Sequence, residues 1–191
     1  MISFFIDTHN NLAKTILFKD GEILNKLEVD SNSHSNNIMP MIDELLKTSK
    51  VNVRDIDEVI VVNGPGSFTG VRIGVTIAKT LAYTLNIPIK AISSLELLMI
   101  SSDNDIVLAT ENDKNGYYIG IFKNKKLDSD MFYLSNSEYV SYIEENHYED
   151  NVVKDIELDY LKIYEYSRNL KSLNPHEVKP LYIKQIEVLN G

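Results

Sequence analysis

Apolar residues at the start of the chain recur first at the spacing of strands and then at the spacing of a helix. The predicted strands are residues 2–7, 12–18 and 22–29. Residues 19–21 have the Lys-Asp-Gly composition of a hairpin turn between the last two. An apolar repeat at helical spacing follows over 36–48, and it includes Ile42 and Leu45. Pro40 fits this helix only in its first turn.

The middle of the chain alternates buried strands with helices. Residues 59–62 are an uninterrupted run of β-branched side chains, which is typical of a strand buried on both faces in a parallel sheet. A helix over 69–86, a strand over 87–92 and a helix over 95–101 follow. This β-α-β-α order with short links predicts right-handed crossovers.

The second half of the chain carries weaker signals of the same kinds. We expect strands near 106–110, 117–123, 131–134 and 178–184, and helices near 137–146 and 157–170. The polar run Asp103-Asn104-Asp105 separates the two halves. It predicts an N-terminal lobe over 1–102, which carries the longest helix, and a smaller C-terminal lobe over 103–191.

Composition narrows the classes of function. The 191 residues are 43% hydrophobic, and 19 Lys and Arg against 28 Asp and Glu give a net charge of -9. A dedicated nucleic-acid groove needs a concentrated basic face, so this balance argues against one. No cysteine is present, which removes disulfides, thiolate chemistry and the best zinc ligand. The first apolar run is too short for a signal peptide or a membrane span, and we expect a cytoplasmic protein that contacts no membrane.

A glycine-rich loop over 63–70 joins the predicted buried strand to the following helix. Ligands of α/β sheets usually bind at such strand ends, and the amides at a helix start attract anions. The candidate anion- or nucleotide-binding residues are Gly64, Gly66, Ser67, Thr69 and Gly70. Val71 and Arg72 stand where a P-loop needs Lys and then Ser or Thr, and the dinucleotide fingerprint also fails at its third glycine. The loop is therefore either an anion site or a structural turn.

The helix over 69–86 has two apolar lines instead of one. The first line, the expected core face, consists of Val71, Gly74, Val75, Ala78, Leu81, Ala82 and Leu85. The second consists of Ile73, Ile77, Thr80 and Thr84. Because a single-sided surface helix needs one such line, the second predicts a second neighbour. That neighbour is either the helix over 36–48 or a helix of another chain.

One long segment resembles the signature of a known family. It runs Asn63-Gly-Pro-Gly-Ser-Phe-Thr-Gly-Val-Arg72-Ile-Gly, followed by Ala78-Lys79, Leu81-Ala82-Tyr83, Ile87-Pro88 and Ser93-Ser94-Leu95-Glu96. Together with Ile6-Asp7-Thr8 and the segment from His34 to Leu46, it is similar to the TsaB (YeaZ) family. The resemblance covers about residues 1–98 well and the remainder loosely, with Pro180 to Lys184 similar to the family's closing motif.

The resemblance implies an α/β fold of the actin, Hsp70 and sugar-kinase class, which is ribonuclease H-like. This fold has two lobes and a mixed sheet with flanking helices, and here the second lobe is reduced. The implied function is that of a non-catalytic scaffold subunit in the machinery that attaches threonylcarbamoyl to the adenosine beside the tRNA anticodon. The implied partners are a TsaD-type catalytic subunit, a TsaE-type ATPase, a second copy when the chain is isolated, and tRNA only through the complex. No tightly bound cofactor is implied, and ATP or ADP with Mg²⁺ at the complex interface is left open.

The resemblance and the second apolar line together place a docking face on the helices over 36–48 and 69–86. Its residues are Ile38, Ile42, Leu45, Phe68, Arg72, Ile73, Ile77, Ala78 and Leu81. No catalytic residue and no metal ligand is expected, because the four histidines stand far apart and suit surface or capping positions. These are His9, His34, His147 and His176. Asp7 ends the first strand and suits a structural role at the mouth of a cleft better than a metal.

Two positions depart from the family pattern. His9 stands where Ser is common, and Glu111-Asn112-Asp113 aligns with an Asp-Ala-Arg motif, so the arginine is missing. The alternative function is a stand-alone nucleotide-binding enzyme of the same superfamily, ATPase or kinase-like, that uses the 63–70 loop for phosphates and Asp7 for magnesium. A third is a homodimer that only regulates the abundance of the partner.

Overall fold

The computed structural model describes residues 1–30 and 34–183, with residues 34–36 described by their backbone alone. The helices are α1 (His34–Ser49), α2 (Phe68–Leu85), α3 (Ser94–Ser101), α4 (Asn136–Asn146) and α5 (Tyr160–Arg168). The strands are β1 (Ile2–Asp7), β2 (Leu12–Lys19), β3 (Glu22–Asp30), β4 (Glu58–Val62), β5 (Ile89–Ile92), β6 (Ile106–Asp113), β7 (Gly116–Lys123), β8 (Lys126–Leu127), β9 (Phe132–Ser135) and β10 (Val152–Val153). None of the helices in these ranges is long and apolar enough to cross a membrane.

The first five strands form one mixed sheet in the order β3-β2-β1-β4-β5. Neighbours among β1, β2 and β3 are antiparallel, whereas β4 and β5 continue from β1 in parallel. Side chains alternate between the faces of a strand. Phe4 and Ile6 therefore pack with α1 and α2, while Phe5 packs with α3 and α5 on the other face. This double cover explains the uninterrupted apolar run of β4.

The second sheet has the order β10-β6-β7-β8, with β9 paired to β7. α3 and α5 lie between the two sheets, because Leu95 of α3 packs in one core with Phe5 of the first sheet and Phe122 of the second. Tyr139 and Ile143 of α4 cover the outer face of the second sheet. The fold is thus layered, with helices outside and between the two sheets.

Residues 173–183, which we call the C-terminal segment, return to the first sheet. The Leu173 N–H donates to the Ile89 carbonyl at 2.8 Å, at the edge of that sheet. Val178 is buried in the core beneath α1 and α2. The segment therefore belongs structurally to the first sheet and its helices.

The strand predicted over 178–184 is wrong for residues 178–183, and Lys184 lies outside the described residues. The apolar residues that suggested a strand pack singly instead of pairing with a sheet edge. Leu181 illustrates this, because its N–H donates to the Asn63 carbonyl at 2.7 Å, in the loop before α2. The extended backbone is satisfied by a loop, which sequence alternation does not reveal.

The remaining elements, and with them the predicted fold class, are confirmed with shifted ends. α1 begins at His34, so Pro40 lies in its second turn and not in the first. α5 begins at Tyr160 because the Asp159 side chain accepts the Lys162 N–H at 3.0 Å and caps the helix there. The two-residue strands β8 and β10 were not predicted. The division into lobes after residue 102 stays a prediction.

Candidate functional site

The loop over 63–70 is held against the turn between β1 and β2. The Ser67 N–H donates to the His9 carbonyl at 2.6 Å, and Ser67 Oγ accepts the Gly70 N–H at 3.3 Å to cap α2. Gly66 has a φ of +155°, and a Cβ added there would collide with the His9 carbonyl oxygen. Glycine is therefore needed at position 66, because the turn approaches the loop backbone directly.

A second contact ties the same turn to the first turns of α2. Thr8 Oγ1 donates to the Gly70 carbonyl at 2.7 Å, and both residues are buried. One turn further along, Gly74 lies so close to Thr8 that an added Cβ would collide with Oγ1. Residues 8 and 9 thus fix the position from which α2 starts.

The five predicted anion-binding residues lie together at this start, but part of their backbone is already hydrogen-bonded within the chain. The Gly64 carbonyl accepts the Ser94 N–H at 2.9 Å, and the Ser67 and Gly70 N–H groups are engaged as described above. Thr69 is exposed. Ser67, and not Thr69, caps the helix. Anion binding by this loop stays a prediction.

Four of the predicted docking residues lie in the core of the chain itself. They are Ile38, Ile42, Leu45 and Ala78, each at most 4% exposed. The apolar face of α1 lies on the first sheet, and Ala78 faces the same sheet from α2. The predicted docking role of these four residues is therefore wrong, because their side chains pack into the core of the chain itself.

The other five predicted docking residues are within reach of a partner. Phe68 and Arg72 are exposed, and Ile73, Ile77 and Leu81 are partly exposed. α1 lies beside α2, and the three partly exposed residues pack against the core that the two helices share. Of the two neighbours predicted for the second apolar line, the helix of the same chain is therefore present and covers it in part.

The C-terminal segment covers the opposite flank of α2. His176 contacts Tyr83 near the helix end, with 5.1 Å between ring centroids. Near the helix start, Arg72 Nε donates to the Tyr182 hydroxyl at 2.7 Å, and the guanidinium carbon lies 3.7 Å from the centroid of the Phe68 ring. Phe68 and Tyr182 still expose 47% and 49% of their surface. The flank thus ends in an exposed cluster of two aromatic rings and one guanidinium.

Between these flanks, α2 presents an uncharged strip to solvent. This outer strip consists of Ile73, Thr76, Thr80 and Thr84, of which the threonines are exposed. The charged side chains of α2 are Arg72 and Lys79, and neither lies in the strip. Because charged residues make up 25% of the chain, an exposed helix face without charge stands out. Such a face is typical of a surface that another molecule covers.

A cleft between the two sheets lies next to the start of α2. Its lining includes His9, Asn10, Ser67, Glu111 and Asp155. The buried His9 ring joins carboxylates of both sheets, with Nδ1 2.6 Å from Asp7 Oδ1 and Nε2 3.2 Å from Glu111 Oε1. Asp7 ends β1 and Glu111 belongs to β6. One imidazole therefore bridges the cleft.

The His9 ring is protonated at neutral pH. Burial alone lowers the pKa of His9, but the charges and hydrogen bonds of Asp7 and Glu111 outweigh it and raise the pKa to about 10. Burial alone raises the pKa of the Asp7 carboxyl, but the charge and hydrogen bonds of His9, together with the Lys14 charge, lower it below its ordinary value. A protonated ring that donates on both sides cannot act as a general base.

Asp7 is fully buried beside His9, and the structural role predicted for it stays a prediction. Its Oδ1 receives both the ring and the backbone N–H of His9, at 2.6 and 3.0 Å. Within residues 1–30 and 34–183, no group of three or more His, Asp or Glu side chains is arranged to hold a metal ion. Among the described residues, the other carboxylate oxygen of Asp7, Oδ2, is buried and has no hydrogen-bond partner.

Known proteins are similar to this chain in sequence and in fold. The family model for TsaD, tRNA N6-adenosine threonylcarbamoyltransferase, matches residues 28–121. The tRNA threonylcarbamoyladenosine biosynthesis protein TsaB of Bacillus subtilis is 46% identical over 94 residues, which are 49% of this chain and 41% of that protein. The protein of the same name from Haemophilus influenzae is 32% identical over 131 residues, 66% of this chain and 56% of that protein. These similarities support the TsaB (YeaZ) family for this chain.

The fold agrees with a solved structure of this family. YeaZ from Pseudomonas aeruginosa superposes with a TM-score of 0.77 at 19% identity, over 95% of this chain and 100% of that one. The chain nevertheless spans about half the length of the curated TsaB relatives that it matches.

Two features of this chain were not predicted from its sequence pattern. His9, which was assigned to a surface or capping position, is 3% exposed and forms the bridge across the cleft. A signal existed, because His9 follows two residues after a carboxylate at the end of a buried strand. The cover of α2 by Tyr182 and the rest of the C-terminal segment left no such signal, since the alternation in that segment predicted a strand and not a contact with a helix. His147 and His176 are exposed, as predicted, and the His34 side chain lies outside the described part.

Proposed function

We propose that the chain is an accessory scaffold subunit in the biosynthesis of threonylcarbamoyladenosine in tRNA. It binds and activates a TsaD-type catalytic subunit, a TsaE-type ATPase joins the pair, and the chain itself catalyses no reaction. It reaches tRNA only through this complex, in the cytoplasm. The names of its TsaB relatives and of the matching family model support this pathway. The net charge of -9 agrees with indirect contact to tRNA.

The outer strip of α2 is the observation that carries the proposal. It is exposed, uncharged and flanked by packed neighbours, so a partner helix can lie along it without desolvating a charge. The adjoining Phe68, Arg72 and Tyr182 supply the residue types that anchor protein interfaces. In the isolated chain, the same strip is proposed to pair with a second copy.

Thr80→Glu tests the strip as a docking surface. Thr80 is exposed, and its hydroxyl donates to the Thr76 carbonyl at 2.8 Å within the helix, so a glutamate fits the free chain. A partner lying on the strip would bury the new carboxylate without a counter-charge. We therefore expect affinity for the TsaD-type subunit, measured by calorimetry, to fall about tenfold or more. Ser141→Glu is the matched control, because it adds the same charge at an exposed position of α4.

These binding measurements distinguish an error in the proposed docking surface from an error in the proposed function. Equal binding by the Thr80 and Ser141 variants, both folded like the parent, would remove the strip from the interface. The function itself fails if the parent chain does not bind the TsaD-type subunit and its depletion leaves threonylcarbamoyladenosine in tRNA unchanged by mass spectrometry.

The alternative of a stand-alone nucleotide-binding enzyme has less support. The Ser67 and Gly70 N–H groups, which would have to face a phosphate, are hydrogen-bonded within the chain. We expect calorimetry with ATP or ADP and Mg²⁺ to show no binding to the free chain, and repeating it on the complex tests a nucleotide at the subunit junction. Magnesium-dependent binding with turnover by the free chain would favour the enzyme.

A further inference from the structure

The turn between β1 and β2 contacts the second sheet on one side and the start of α2 on the other. His9 makes both contacts. Its ring bonds Glu111 of β6 at 3.2 Å, and its carbonyl accepts the Ser67 N–H at 2.6 Å. His9 therefore links the second sheet to the loop before α2, next to the helix that carries the outer strip.

We propose that His9 is a positioning residue for α2, through which the second lobe sets the position of the first turn of that helix. The importance of this coupling for partner binding rests on the function proposed above. The coupling itself is a property of the free chain and is tested there.

The His9 side chain and backbone are bound to the same acceptor atom. Ring Nδ1 and the backbone N–H both bond the same atom, Asp7 Oδ1, at 2.6 and 3.0 Å. Asp7 in turn is fixed in β1, at the centre of the first sheet. Because the ring and the backbone share this acceptor, we expect a change at ring Nε2 to alter the position of the His9 carbonyl as well.

The turn between β1 and β2 is closely packed against the loop before α2 and against the first turns of that helix. Gly66 lies against the His9 carbonyl without room for a Cβ, and Gly74 lies equally close to Thr8. Thr8 also holds the Gly70 carbonyl at 2.7 Å. Close-packed contacts of this kind transmit displacement instead of absorbing it. A shift of the turn must therefore shift the start of α2.

The bridge orients the lobes without being needed to hold them together. Packing of α3 and α5 between the sheets joins them independently. Lys14, which lies opposite Asp7 in the β1–β2 pairing, also offsets the Asp7 charge, but it belongs to the first sheet. Loss of the Glu111 charge should therefore loosen the bridge and leave the chain folded.

Amide exchange in the free chain, followed by NMR, tests the coupling. Glu111→Gln keeps the shape of the side chain and removes its charge. Exchange of the Ser67 and Gly70 amides should accelerate about fivefold or more, although the substitution lies in β6. Glu165→Gln is the control, because it removes an exposed carboxylate from α5 and should leave both amides unchanged. Acceleration confined to residues around 111, or none, would overturn the proposal.

A double-substitution cycle tests whether the coupling between Glu111 and the start of α2 passes through His9. In a His9→Gln background, Glu111→Gln should not accelerate exchange at Ser67 and Gly70 further, whereas additive effects would assign the coupling to another route. Should His9→Gln fail to fold, the Glu111 comparison decides alone. Failure of the parent chain to bind a TsaD-type subunit would refute the proposed function and leave the exchange result intact.

Discussion

Raising the pH above neutral should destabilise the chain through one buried group, the His9 ring. The pKa of His9 is raised from 6.5 to about 10 in the folded chain. A group whose pKa is raised by folding stabilises the folded state fully below its unfolded value, and it loses that contribution as the pH rises through the folded value. The stability that His9 provides should thus be complete below about pH 6.5 and largely gone near pH 10.

The size of the effect follows from the same two values. The whole shift corresponds to at most about 5 kcal/mol of unfolding free energy, in line with the roughly 3–5 kcal/mol lost when one member of a buried ion pair is removed. Between pH 7.5 and 9.5, the loss should be about 2 to 3 kcal/mol. His9 is 3% exposed, so solvent screening does not reduce this figure substantially.

Urea denaturation of the parent chain and of His9→Gln at several pH values in this range measures the effect. The parent should lose stability as the pH rises, while the His9→Gln variant starts lower and changes little over the same range. His176→Gln, at an exposed position, is the matched control and should follow the parent. Parallel pH profiles for the parent and the His9 variant would refute a protonated bridge at His9.

Three further substitutions test the packing around α2 and the first sheet. Gly74→Ala forces a Cβ against Thr8 Oγ1 and should cost about 1–3 kcal/mol of unfolding free energy in urea, despite the better helix propensity of alanine. Lys90→Met leaves the buried Glu58 carboxylate without the ammonium 2.9 Å away and should cost about 3 kcal/mol or more of unfolding free energy. Val178→Ala removes buried methyl groups from the C-terminal segment, should cost about 2 kcal/mol, and should make that segment cleavable by protease before the rest of the chain.

The fold could be predicted where local pattern and tertiary environment agree. The run over 59–62 reads as a strand covered on both faces, and β4 is such a strand. α3 begins after Ser93 because Ser93 and Glu96 form a capping box, which is visible in the sequence. The strand predicted in the C-terminal segment is absent from residues 178–183, because the extended backbone there makes single hydrogen bonds to a loop and to the end of a strand. No local period encodes such contacts.

The docking face could be predicted as a helix but not residue by residue. Periodicity correctly gave α2 an apolar line for the core, and the second line exists. It could not tell which side of α1 faces the sheet, so Ile38 and Leu45 were placed on the surface although both are buried. The bridge at His9 depends on Glu111, 102 residues away, and a contact at that separation is beyond reasoning from spacing alone.

The width of the outer strip limits how a partner can use it. A stable interface takes about 800 Å² from each protein, far more than four helical side chains offer. A partner on α2 must therefore also cover a flank, and the two flanks differ in chemistry. The α1 flank offers the edge of Ile77, while the other offers the exposed rings of Phe68 and Tyr182 around Arg72. Because aromatic and guanidinium groups dominate binding energy at interfaces, the geometry favours contact centred on the first half of α2. That half is also the part whose position the turn at His9 fixes.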